Sequence, residues 1–420
     1  MSGSGRRVAA PRGTRDVLPP ESDLRQRVID VARDAFARHG YRRIVTPTFE
    51  ETDLFVRGAG ESTDVVRKEM YTFEDQGGRS LSLRPEGTAP VVRAFVQHGM
   101  HKLPLPVKLW YAAPMFRYEA PQAGRYREHW QVGAEAIGSD DPLLDAEVIA
   151  MLDGLYRRLG VPGVSLRLGT MGDAESRGPY RERLLEYLRR HEGDLDDDAR
   201  ERMRVNPLRL FDTKVPRVAE IMAGAPTLID NLSPAAEAHR ERVLDALTVL
   251  GIPFEEDPGL VRGFDYYTMT VFEFVSDHLG AQSAVGGGGR YDGLVEGLGG
   301  PPTPGIGFGA GVERIVLALE SEGVAEEPWL DCYLAVPDPA LRPAMMPVLR
   351  ALRDAGLRCE SDLRGRSMKA MMRHASSLGA RVVVIVGPRE HEAGQATIRD
   401  MTTGEQRQAP LAHLVEELTA

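Results

Sequence analysis

The chain has 420 residues, 42% hydrophobic and 27% charged, with a formal net charge of −10; that length supports two or three domains with full cores, and the balance excludes wholesale disorder. No apolar run nears the ~20 residues of a membrane-spanning helix, no apolar core follows the N-terminal arginines as a secretory signal needs, and Cys332 and Cys359 form neither a disulfide framework nor a CxxC zinc pair, so a cytoplasmic protein with no membrane partner is expected. The negative net charge opposes nucleic acid globally, so a nucleic-acid partner must meet a local basic surface.

The first predicted element is a helix over Ser22 to Arg38, where Leu24, Val28, Val31, Ala35 and Phe36 recur at helical spacing and Gly40 supplies a stop. Ile44 to Pro47 then reads as a strand. A strand near Ser80 to Arg84 and a helix from Thr88 to Gln97 follow. Two β-rich runs, Val107 to Tyr118 and Arg127 to Ile137, are joined by a hairpin loop containing Pro121 and Gly124. A helix over Leu143 to Leu159, ended by Gly160, leads into a strand over Val164 to Leu168. Residues 172–232 turn charge-rich and helical without a catalytic constellation, which predicts an inserted helical module. β-type sequence resumes near Ile252, runs through Tyr267 to Val275 and Gln282 to Val285, and ends with Gly305 to Gly309 before a helix over Val312 to Leu319. Many antiparallel strands with a few packed helices predict an α+β fold. Beyond a linker near Ser321 to Pro328, strand and helix alternate through Tyr333 to Val336, Pro343 to Ala355, Leu357 to Cys359, Lys369 to Leu378 and Val382 to Val386, which predicts a small, separate α/β domain.

Three sets of residues carry chemistry. Leu260 to Tyr267 packs Arg262, Asp265, Tyr266 and Tyr267 into eight positions. Arginine presents permanent planar donors to phosphate or carboxylate, and adjacent tyrosines in an extended segment point to opposite faces, so one phenol is expected to line a pocket. An ordinary strand with a surface arginine accounts equally well for any one of them. The four glycines Gly286 to Gly289 and the alternating Gly305, Gly307, Gly309 and Gly311 match neither a P-loop nor GxGxxG. Glycine weakens a strand unless another backbone or a ligand must come close, so a bare strand face with room for a flat ring is expected, next to Arg314 in the first turn of a helix. In the third set, matching parity lets Arg117, Gln131 and Glu135 face one cavity. Glu119 and Arg125 lie close by in sequence, and Glu86 and Thr88 stand at a helix start, where Thr88 serves either as cap or as ligand contact.

Together LRPEGTA (83–89), FRYE, GRYRE and Q (116–131), LVRGFDYY (260–267), AVGGGGRYDGL (284–294) and GIGFGAGVERI (305–315) closely resemble histidyl-tRNA synthetase, a class II aminoacyl-tRNA synthetase. The resemblance spans nearly the whole chain, with the three class II motifs around Pro47, Arg117 and Arg314 and two segments peculiar to the histidine enzyme at Arg262 and Gly286. It implies a class II antiparallel-sheet catalytic domain over 1–325, with the helical insertion at 172–232 inside it, and an anticodon-binding domain over 329–420. Two departures stand out. Ala120 stands where the family usually has arginine, which is expected to weaken contacts to the acceptor end of tRNA, and His129-Trp130 stands where an aromatic followed by His is common, which is expected to alter packing beneath the site.

The resemblance further implies L-histidine, ATP and tRNA(His) as substrates, Mg2+ on the ATP phosphates, and a homodimer built through the first motif. It assigns Arg262 and Arg117 to catalysis; Glu86, Thr88, Arg117, Gln131, Glu135, Arg262, Tyr266, Tyr267 and Tyr291 to histidine; and Arg117, Glu119, Arg125 and Arg314 to ATP. In the last domain the cationic run that includes Arg364, Arg366 and Lys369 is expected to touch tRNA, or else to be a solvated helix face. Two other readings are weighed: a synthetase-like regulatory subunit of histidine biosynthesis, whose relatives usually lack the Arg262 segment and the last domain, and another class II synthetase, which lacks LVRGFDYY.

Overall fold

The computed structural model describes residues 8–60, 63–119, 124–213, 215–280, 283–321 and 329–419. Ala120, Pro121, Gln282 and residues 322–328 of the expected linker lie outside them. The chain divides into two compact units, Met1–Val324 and Ala325–Ala420.

The elements that build the first unit's large sheet and its cover are α1 (Glu21–Arg38), β1 (Arg42–Arg43), α2 (Thr88–Gln97), β2 (Val107–Phe116), β3 (Glu128–Ile137), α3 (Pro142–Leu159), β4 (Val164–Gly172), α4 (Pro234–Val249), β5 (Glu255–Glu256), β6 (Thr268–Ser276), β7 (Ala284–Arg290), β8 (Gly305–Gly311) and α5 (Val312–Ser321). The sheet runs β1-β2-β3-β8-β7-β6-β4-β5. Its six inner strands are antiparallel and each edge strand pairs in parallel. The fold is thus α+β, and the long returns between neighbouring strands bring segments from residue 107 to residue 311 onto one surface.

Strand alternation sorts the two faces. Along β3, Val132, Ala134 and Ala136 join the main apolar core with α1 and α3, while Gln131, Gly133 and Glu135 project to the other side. Phe36 of α1 meets Trp110 and Phe308 edge-on at 5.9 and 5.7 Å, contacts that each add ~0.5–1.5 kcal/mol beyond the buried area. Asp141 caps α3 through Leu143 N at 3.0 Å, and Gly160, at φ 72°, closes it.

Two sequence expectations change here. No strand covers residues 44–47: Arg42 and Arg43 pair with β2 and Ile44 N reaches Trp110 O at 2.9 Å, but the carbonyls of Thr46 and Pro47 then turn to accept from the buried Arg84 guanidinium at 3.0 and 3.1 Å. Residues 260–267 form a loop, and β6 begins at Thr268. The helix α4 was not evident in the sequence, because only Ala236, Val243 and Leu247 of its sixteen residues are buried and no strong apolar stripe marks it.

Between β4 and α4, helices Ala174–Arg190, Asp197–Val205 and Pro216–Ala223 enclose their own core of Tyr180, Leu184, Leu188, Leu210 and Met222. In the second unit a five-stranded sheet runs Cys359–Ser361, Leu330–Ala335, Ala380–Ile385, Gln395–Asp400, Gln406–Pro410, the first three parallel and the last two an antiparallel hairpin. The polar hairpin, with Ala396, Ile398 and Ala409 as its buried apolar residues, is additional to the alternating pattern read from the sequence.

Candidate active site

The face of the sheet away from the main core is built around glycine. Gly287 pairs with Gly309, Gly289 with Gly307, and Gly309 with Gly133. A Cβ on Gly307 would collide with the Glu135 carboxylate, and one on Gly287 would come within 3.0 Å of the Arg262 guanidinium carbon. The glycines therefore admit the protein's own functional side chains to the strand surface, and the room expected for a ligand ring is partly filled by Glu135, Arg262 and Tyr267.

Glu135 is fully buried, accepting from Thr88 Oγ1 at 2.7 Å and from the Tyr291 hydroxyl at 2.6 Å. Burial pushes its carboxyl up to about 8 against the pull of both donors. Glu86 accepts from the backbone N–H groups of Thr88 and Ala89 at 2.5 and 2.8 Å. It occupies the positive end of α2, yet burial still raises its pKa. Glu86 thus satisfies the first turn of α2, and the Thr88 hydroxyl is turned to Glu135 and does not act as the cap.

The arginines approach from three elements. Arg117, just past β2, donates Nε to Pro85 O at 2.9 Å and lies 5.5 Å from the Phe264 ring centre. Its guanidinium is 3.9 Å from Glu119, whose other oxygen pairs with Arg125. Arg314, in the first turn of α5, has its pKa lowered by burial and then by the Arg125 charge, and a Cβ on Gly124, next to Arg125 in sequence, would lie 3.7 Å from its Cγ. Arg262 pairs with Glu273 of β6; burial opposes its charge, but Glu273 and Tyr267 outweigh it and the pKa is raised.

Tyr266 and Tyr267 do not diverge to opposite faces, because they sit in the loop and not in a strand. Their rings are 4.7 Å apart, and Tyr266 stacks on Phe264 at 5.2 Å and meets Tyr291 edge-on at 6.0 Å. Burial raises all three phenols, so each remains protonated and able to donate. Gln131 lies against Gly309, where a Cβ would be 3.2 Å from its Oε1. Glu86, Thr88, Arg117, Glu119, Gln131, Glu135, Arg262, Tyr266, Tyr267 and Tyr291 therefore share one front, with the cations Arg125 and Arg314 beside Glu119 and Gly311. Two residues of this front were missed in the sequence: Tyr111, which fills the space over Gly133 and Gly87, and Glu273, the partner of Arg262. Register was the available signal, since Tyr111 is cross-strand from Gly133 and Glu273 from Gly287.

Behind the site, the fully buried Arg290 pairs with Asp145 and, at 3.2 Å, with Asp292, while His239 Nε2 sits 2.8 Å from Asp145. Asp292 Oδ1 also accepts from Gly305 N at 3.3 Å. This network fixes the end of β7, from which Tyr291 reaches Glu135. The second departure in sequence resolves into packing: Trp130 joins the core side of β3, its backbone N–H donating to Glu313 at 2.9 Å and its ring under Arg25 at 4.5 Å. His129 remains on the site side, and burial followed by the Arg117 charge depresses it to about 3, so it is neutral at physiological pH. Ala120, the first departure, lies outside the described residues.

In the second unit, Arg364 and Lys369 are exposed. Arg366 is tied to the buried Asp362 through its guanidinium at 2.8 Å and its backbone N–H at 2.7 Å, and Arg342 approaches the same carboxylate at 3.5 Å. The cationic run is therefore partly neutralised from within.

Comparison with known proteins identifies the family. A family model described as histidyl-tRNA synthetase matches residues 13–315, and one described as an anticodon binding domain matches 331–420. The chain is 50% identical over 404 residues to the histidine–tRNA ligase of Saccharopolyspora erythraea, covering 96% of both proteins, and 51% identical over 409 residues to that of Nocardia farcinica, covering 97% and 96%. The crystal structure of the apo Staphylococcus aureus histidyl-tRNA synthetase superposes with a TM-score of 0.81 at 37% identity, covering 99% of this chain and 100% of that one. With Glu135 seated over Gly307, Arg262 over Gly287 and similarity covering 96% of the chain, the chain belongs to the histidyl-tRNA synthetase family.

Proposed function

We infer that the site activates L-histidine with ATP, forming histidyl-adenylate and releasing pyrophosphate, and then passes the histidyl group to the 3′ end of tRNA(His) with release of AMP. The observation that carries this reading is Glu135, buried between the Thr88 and Tyr291 hydroxyls on the same front as Arg117 and Arg262. A neutral imidazole offers one donor and one acceptor. Glu135 and Tyr267 supply the complementary groups, and Glu86, Thr88 and Gln131 receive the α-amino group. A buried polar site of this kind rejects analogues lacking those hydrogen bonds by roughly 10⁴-fold or more.

In the first step a histidine carboxylate oxygen bonds to the α-phosphorus, and the bond to the pyrophosphate oxygen breaks. The barrier is the approach of two anions. Arg117 holds carboxylate and α-phosphate, Arg262 meets the developing charge from the other side, Arg125 and Arg314 take the outer phosphates, and Glu119 receives the adenine amino group. Guanidinium groups already fixed by Pro85 O and by Glu273 need little reorganisation, which is the condition for strong transition-state stabilisation. Mg2+ is proposed as the ion ATP brings on its phosphates. No group of three His, Cys, Asp or Glu converges among the described residues, so it is given no protein ligands.

The anticodon-binding unit is proposed to meet tRNA through Arg364 and Lys369, with Arg366 bracing that surface through Asp362. A homodimer is proposed through the segment around Pro47, supported by Val45 and Phe49, apolar yet 80% and 51% exposed there. A cytoplasmic location is proposed from the family reading; separately, no described helix is long and apolar enough to cross a membrane. The regulatory-subunit reading is disfavoured by the presence of both Arg262 and the anticodon-binding unit. ATP–pyrophosphate exchange with each amino acid in turn tests the proposal: exchange dependent on histidine is expected, while exchange with none, or with a different amino acid, rejects it.

A further inference from the structure

The loop 260–267 carries Arg262 and both tyrosines without a strand ladder of its own, so something outside it must set its position. The inserted helical module supplies four hydrogen bonds, three of them from Asn206 and Arg209. Asn206 Nδ2 donates to Asp265 Oδ1 at 3.1 Å, and Arg209 Nη2 donates both to that oxygen and to Gly263 O, each at 3.1 Å. Asn206 is itself oriented by accepting Leu208 N on its Oδ1 at 3.2 Å. Leu208 packs into the small apolar cluster of Met171, Leu260, Tyr267 and Val271, and a Cβ on Gly259 would touch Phe211 at 3.4 Å. Residues 206–211 therefore grip the loop at Gly259, Leu260, Gly263 and Asp265, on both sides of Arg262. Arg177 of the same module reaches Tyr267 O at 3.4 Å.

We propose that Arg209 and Asn206 are positioning residues for histidine activation, through which the helical module holds the Arg262 loop in register with the sheet. They touch no substrate; they act through Arg262. The inference rests on the activation reading above. Because the Asp265 carboxylate lies three residues beyond Arg262 in an irregular segment, loss of the clamp lets the guanidinium leave its place over Gly287 while the phosphate-facing arginines, carried on β2, β3 and α5 or the loops beside them, stay fixed. A displacement of about 1 Å in a catalytic group costs on the order of 10²-fold in rate. The module is thereby a lever: whatever shifts it shifts Arg262.

The test is histidine-dependent ATP–pyrophosphate exchange in the full chain carrying Arg209→Ala, Arg209→Lys, Asn206→Ala, Arg262→Ala, and Arg209→Ala combined with Arg262→Ala, with ATP affinity measured by equilibrium dialysis and folding by thermal melt. Expected are a 10- to 100-fold fall in kcat for Arg209→Ala with ATP affinity within about twofold of wild type, partial recovery in Arg209→Lys, and little further loss when Arg209→Ala is added to Arg262→Ala. A kcat for Arg209→Ala within twofold of wild type, equal loss of ATP affinity, or losses that multiply in the double variant overturns the proposal. Should Arg209→Ala not fold, Asn206→Ala alone and combined with Arg262→Ala carries the same comparison. Wild-type exchange that does not depend on histidine would instead reject the activation reading itself.

Discussion

The Tyr291 hydroxyl, one residue beyond β7, donates a 2.6 Å hydrogen bond to Glu135 Oε2 on β3, with β8 and its side-chain-free Gly307 lying between those two strands in the sheet. Removing the donor leaves a buried acceptor unsatisfied, which costs about 1–3 kcal/mol. Tyr291→Phe is therefore expected to lower kcat/KM for histidine by roughly 10- to 100-fold with KM for ATP little changed, read by pyrophosphate exchange. An equal rise in both KM values would show that Tyr291 supports the whole fold and not the ring-binding carboxylate.

Glu135 also makes stability depend on pH. Its folded pKa is raised, from 4.5 to about 8, so the folded protein holds a proton that the unfolded chain gives up. The contribution is fully present below about 4.5 and is lost as pH rises through about 8. Thermal melts of the unliganded protein should show Glu135→Gln, which keeps the shape and cannot ionise, gaining on wild type as pH rises across that window. Parallel curves would mean the carboxyl is not shifted in this way.

Arg262 is anchored by Glu273 on the strand beside Gly287. Arg262→Ala removes a fixed cation and is expected to cut exchange by at least about 10²-fold while ATP still binds by equilibrium dialysis. Near-normal exchange would remove Arg262 from the reaction.

The pair of Arg290 and Asp145 is buried and charged on both sides. Asp145→Asn leaves a guanidinium less compensated in the interior, and breaking such a pair costs about 3–5 kcal/mol. Urea unfolding should show that loss in full, and a change under about 1 kcal/mol would imply that His239 and Asp292 suffice to hold Arg290.

Reversal of charge at Arg364 and Lys369, by Arg364→Glu with Lys369→Glu, is expected to weaken tRNA binding, flatten its salt dependence and leave exchange intact. These two are chosen over Arg366 because Arg366 is engaged by Asp362. Filter binding across a salt series checks it, and unchanged affinity and slope would reduce the patch to a solvated surface.

What the sequence by itself determined was local. Helical spacing marked α1 within a residue of its start, and parity along β3 put Gln131 and Glu135 on one face. The glycine runs announced that something must lie close to the backbone. Periodicity reports which side of an element a residue occupies, so such features need no knowledge of neighbours. Only the tertiary structure decided which partner each group meets. Thr88 turns from its helix end to Glu135 because β3 passes there, Tyr266 and Tyr267 share one side because their segment is a loop and not a strand, and the space over Gly287 belongs to Arg262. Those outcomes depend on strand order and on contacts between residues as far apart as 135 and 291, whose energies are fixed by packing in three dimensions and leave no period in the chain.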